Sequence, residues 1–75
     1  MERYANRGGD SGITGYELGQ GQITVQFSDG SQYLYNSQHP GPAVVAEMQR
    51  LAVAGVGLNS YISRIVRKNY AQKLR

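Results

Sequence analysis

The 75 residues include no cysteine, no tryptophan, one phenylalanine, one histidine and two prolines. Without cysteine, neither a disulfide nor a thiolate zinc site can supplement the core. The single histidine, His39, precedes Pro40 and has no second histidine to share a metal, so no metal site is expected. General acid–base chemistry needs titratable groups placed together. With no paired carboxylates in view, the expectation is a non-enzymatic chain without cofactors. Gly9-Asp10-Ser11-Gly12 echoes the segment around a serine-protease nucleophile, but His39 is the only base available and the chain is too short for that scaffold. Gly19-Gln20-Gly21 lacks the lysine and following helix of a phosphate loop. Long apolar runs are missing too. The longest, Leu51 to Leu58, has eight residues and two glycines, against about 20 for a membrane span. With no secretory-type leader either, a soluble, cytoplasmic protein is expected.

What is present is a small domain's worth of apolar residues, six tyrosines, ten glycines and a net charge of +3. The charge is unevenly placed. Residues 1–60 carry Arg3, Arg7 and Arg50 against five acids, a net of −2; residues 61–75 carry Arg64, Arg67, Lys68, Lys73 and Arg75 with no acid, a net of +5. A basic segment can attract phosphate backbones or an acidic partner, or serve only as a solvated helix face.

The most ordered stretch is Ile23 to Tyr35. Ile23, Val25 and Phe27 alternate with Thr24, Gln26 and Ser28, the period of a strand with one buried face. Asp29-Gly30 then marks a hairpin. Two registers are open. A two-residue Asp29-Gly30 loop sets Val25 opposite Leu34 and puts Tyr33 and Tyr35 on the polar face. A three-residue Ser28-Asp29-Gly30 loop sets Val25 opposite Tyr33 and Ile23 opposite Tyr35. A slip of one residue exchanges the faces. The second register is favoured, because so small a domain needs both rings in its core. An earlier strand is read over Gly12 to Leu18, with Gly15 as a potential bulge, and residues 1–11 are read as a flexible start with little to bury. Arg7-Gly8-Gly9, a single unit of an RNA-binding repeat, is expected by chance in such a loop.

Pro42 opens a helix at the position where its missing N–H costs nothing. Val44, Val45, Met48, Leu51 and Ala52 form its apolar stripe, and Gly55 ends it. A second helix from Leu58 carries Leu58, Tyr61, Ile62, Ile65, Val66 and Tyr70 on one face. On the other face Arg64, Arg67 and Lys68 are neighbours by spacing and form a cationic ridge. Residues 71–75 make a basic tail. The predicted fold is a single α+β domain over residues 12–70: a three-stranded antiparallel meander followed by two helices packed on one face. Its predicted core is Ile13, Tyr16, Ile23, Val25, Phe27, Tyr33, Tyr35, Val45, Met48, Leu51, Leu58, Tyr61, Ile62, Ile65 and Val66.

These residues in this order, from Ile13-x-x-Tyr16 through Ile23-x-Val25-x-Phe27-x-x-Gly30 and Tyr33-x-Tyr35 to Gly57-Leu58-Asn59-x-Tyr61-Ile62-x-x-Ile65 and Tyr70, resemble the KTSC domain. That domain occurs at the C-terminus of some lysyl-tRNA synthetases and as a small stand-alone bacterial protein. The positions that match are Tyr33, Tyr35, Asn59, Tyr61 and Tyr70; Leu34 departs from the polar residue often found between the family's two tyrosines. The resemblance brings no catalytic residue, and it implies RNA binding only through the synthetase context. Two expectations follow. One is a protein-interaction module or homodimer formed through a sheet edge at the first or third strand. The other is an RNA-binding module using Arg64, Arg67, Lys68, Lys73 and Arg75, with Tyr33 and Tyr35 stacking on bases if they are exposed.

Overall fold

The computed structural model describes residues 1–9 and 12–75. Asp10 and Ser11, the end of the segment read as flexible and the middle of the Gly9–Gly12 echo, lie outside the described residues. The chain is α+β, as expected, but the sheet has five strands rather than three. They are β1 (Glu2–Arg3), β2 (Ile13–Gly19), β3 (Gln22–Phe27), β4 (Gln32–Asn36) and β5 (Gln72–Lys73), in the order β1-β2-β3-β4-β5. Every neighbouring pair is antiparallel. The predicted meander is its middle. The two added strands come from the segment read as flexible and from the basic tail; each is two residues long, too short to show a period.

The favoured register is the observed one: Ile23 pairs with Tyr35 and Val25 with Tyr33. Gly30 adopts φ +89°, which closes the three-residue loop between Phe27 and Ser31. The Asp29 carboxylate fastens that loop by accepting from the Ser31 N–H (2.9 Å) and hydroxyl (2.6 Å); those bonds, the hydroxyl first, hold its pKa below the ordinary value. A register shift between Ile13 and Gly15 places a bulge in β2 and lets Ile13 and Tyr16, three residues apart, share one face.

That face is covered by α1 (Pro42–Ala54), which lies across β3 and β4, and by α2 (Leu58–Tyr61), which packs on α1. Val45, Met48 and Ala52 from α1 meet Ile23, Val25 and Tyr35 from the sheet in one core. Gln49 anchors the helix to the β2–β3 turn, its amide donating to the carbonyls of Gly19 (3.1 Å) and Gln22 (2.9 Å). Gly55 caps α1 in the left-handed conformation, as predicted.

The second helix departs from expectation. After Tyr61 it widens into a π turn (Ile62–Val66), closed by a bond from the Arg67 N–H to the Ile62 carbonyl, and stops there. Leu58, Ile62 and Val66 are buried, but Ile65, predicted to be core, is 59% exposed. The wider winding turns each residue less far around the axis, which carries Ile65 off the buried stripe and onto the flank beside Tyr61. Phe27, Tyr33, Leu51 and Tyr61 are half-buried. Tyr70 lies beyond the helix and reaches the core by packing on Tyr33.

The start of the chain also departs from its reading. Tyr4 is only 4% exposed. Its N–H donates to the Thr14 carbonyl (3.1 Å), and its hydroxyl accepts from the Leu58 N–H (3.2 Å), one of the free donors that open a helix. Arg7 continues the strap, its N–H donating to the Gly55 carbonyl (2.7 Å) and its Nε to that of Ala54 (3.0 Å). Residues 1–7 therefore run from the sheet edge across the junction of the two helices.

Burial, together with Tyr33 and Tyr70 nearby, pushes the Tyr35 phenol from 10.0 up to about 12. Above the ordinary value the unfolded chain loses a proton that the folded chain keeps, so folding then requires proton uptake. Stability from this group should be complete below about pH 10 and fall as the pH rises toward about 12. Urea unfolding across that range should show the decline, and Tyr35→Phe should flatten it; an equal slope in both proteins would assign the effect elsewhere.

Candidate functional site

The cations do not form the expected ridge. Arg64 sits in the π turn. Arg67 follows the helix end at φ 54°, and Lys68 lies in the turn beyond. Helical spacing ends at Val66, so the neighbour relation that grouped the three no longer applies. Lys73 lies on β5 opposite Tyr33, with its Nζ 5.8 Å from the ring centroid, a cation–π arrangement. Lys73 and Arg75 line a shallow cleft of about 430 Å³ at the hairpin tip, shared with Asp29.

The tyrosines are largely committed to packing. Tyr35 is 2% exposed, so the condition for base stacking fails there. Tyr33 is half-buried between Phe27 (5.6 Å, edge-on) and Tyr70 (4.7 Å). Both rings lie on the helix side of the sheet. The opposite face carries Thr24, Gln26, Gln32, Leu34 and Gln72, and the strands place no aromatic there. Nor are the predicted sheet edges open. β1 flanks β2, and β5 flanks β4, where Ala71 and Leu74 donate to the Leu34 (2.8 Å) and Gln32 (2.7 Å) carbonyls.

The clearest apolar opening lies between the helices instead. It is a groove of about 570 Å³. Leu51 and Glu47, one turn apart on α1, form one wall. Tyr61 and Ile65, with Arg64, form the other, and Gly57 leaves its end without a side chain. Glu47 is bonded to Arg50, whose Nε lies 2.9 Å from Oε1. This bond holds the carboxyl below its ordinary pKa, so it is ionised at neutral pH. Arg64 and Ile65 are exposed at the rim.

No family model, curated protein or solved structure matches this chain.

Of the resemblance positions, Tyr61 lines this groove, Asn59 lines a smaller cleft beside Tyr4, and Tyr33 and Tyr70 pack together. Among the described residues no group of three or more His, Cys, Asp and Glu could hold a metal ion, and no helix is long and apolar enough to cross a membrane. Sequence reasoning assigned Leu51, Tyr61 and Ile65 to the core, and so missed the groove. Only the π turn turns Ile65 outward, and nothing in Ile62-Ser63-Arg64-Ile65-Val66 signals that winding.

Proposed function

We propose that the chain is a small non-enzymatic protein-interaction module whose contact surface is the groove between α1 and α2. The carrying observation is Ile65: a large apolar side chain, 59% exposed, standing beside a concave surface bounded by Leu51 and Tyr61. Such a patch on a small domain has the features of an interaction site. It also fits recognition by an apolar helix face. The sheet-edge version has less support, because β2 and β4 are both flanked. The RNA reading has less support too, because the cations are spread over the groove rim (Arg64), the turn after the helix (Arg67 and Lys68) and the hairpin cleft (Lys73 and Arg75), and Tyr35 is buried. Membership of the KTSC family is part of the proposal, supported by the order of strands and helices and by the five matching positions.

Selection of short peptides from a random display library should enrich apolar, helix-forming binders. Their amide shifts should map to Leu51, Tyr61 and Ile65, and Ile65→Glu should abolish binding while leaving the fold intact. Binders that map to the sheet, or survive Ile65→Glu, would refute this site. Shifts at Lys73 and Arg75 with single-stranded RNA at physiological salt would favour the RNA reading instead.

A further inference from the structure

Resting on that reading, we infer that the groove's occupant is a second copy of this chain, docked about a two-fold axis with Arg64 of each copy against Glu47 of the other. A two-fold interface uses one patch on both sides, so the patch must complement itself. This one holds both a projection and a hollow: Ile65 stands out from the α2 wall, and Leu51 and Gly57 bound the space beside it. Two copies facing each other can each place Ile65 in the other's hollow.

The charges obey the same symmetry. The α1 wall carries the ionised Glu47 and the α2 wall carries Arg64. A two-fold axis along the groove brings the α1 wall of one copy against the opposite wall of the other, the one carrying Arg64 in the π turn after α2, which sets acid against base twice. A two-fold axis across the groove would instead set Arg64 against Arg64 and Glu47 against Glu47. The carboxylate of Glu47 then bridges its own Arg50 and the second copy's Arg64, a network rather than an isolated exposed pair. The patch is small beside the roughly 20–30 residues a side of a standard interface. The dimer is therefore weak, with a dissociation constant in the micromolar range or above.

The test is sedimentation velocity of the intact chain from low micromolar to near-millimolar concentration, with two charge reversals. Wild type should show a concentration-dependent monomer–dimer equilibrium. Glu47→Lys sets a new cation against Arg64 of the other copy, and Arg64→Glu sets a new carboxylate against its Glu47. Each variant alone should therefore dimerise about tenfold or more weakly. Mixing the two restores both attractive contacts, because one copy then presents only bases and the other only acids. The mixture should form a heterodimer more stable than either variant's homodimer, which damage to the fold could not produce. A wild-type chain monomeric throughout would overturn the inference while leaving the groove to be judged by the peptide selection. A dimer indifferent to both reversals, or no gain on mixing, would overturn the two-fold arrangement.

Discussion

Tyr4→Ala should cost about 3–5 kcal/mol, the range for removing a buried aromatic ring. A 75-residue domain has in total about 4–11 kcal/mol at typical values per residue, so the substitution should remove much of the native stability. The ring is in the core cluster, and its hydroxyl supplies the acceptor for the first N–H of α2. Tyr4→Phe separates the two contributions. It keeps the ring and should cost only about 1–2 kcal/mol for the donor left without its partner. Urea unfolding followed by circular dichroism measures both. A Tyr4→Ala protein as stable as wild type would mean that the N-terminal strap is not part of the folded unit.

Gly55→Ala should be the second severe substitution, at about 3 kcal/mol. Gly55 has φ +77°, and a side chain in that left-handed conformation costs about 1–2 kcal/mol. A Cβ there would also lie 2.6 Å from the Ala5 Cβ, well inside the 3.5–4.0 Å optimum for carbon atoms. The strap must then move, and the bonds from Arg7 to Ala54 and Gly55 are strained. Adding Ala5→Gly should recover the part due to the collision and leave the part due to φ. If the double variant is no more stable than Gly55→Ala alone, the crowding account is wrong. Because Tyr4 and Gly55 hold the same strap, losing both should cost less than the sum of the two.

Both substitutions concern a segment the sequence presents as unstructured. Between Met1 and Gly12 a single aromatic stands among glycines, asparagine and charges, and one residue defines no periodicity. The hairpin was legible because alternation and Asp29-Gly30 agree with each other and with the volume the core needs. The first helix was legible because Pro42 and Gly55 bound a clean apolar stripe. Its successor was legible as far as Ile62. Beyond that, α-helical spacing placed Ile65 inside and continued the face to Tyr70, whereas the π turn exposes the first and ends the helix before the second. The candidate site followed the same pattern. The basic residues could be read directly, but their grouping depended on a helix that stops at Val66, and the groove depended on how two helices meet.

The position of β5 has a consequence for how the protein is made. Every strand pairs with the next in sequence, but the connection from β4 to β5 alone runs through both helices. A nascent chain emerging N-terminus first can assemble β1 to β4 while residues 71–75 are still being synthesised. During that interval the outer edge of β4 has unpaired main-chain groups, a template for pairing with another chain. The arrival of residues 71–75 thus both adds the last strand and covers the β4 edge at Gln32 to Leu34.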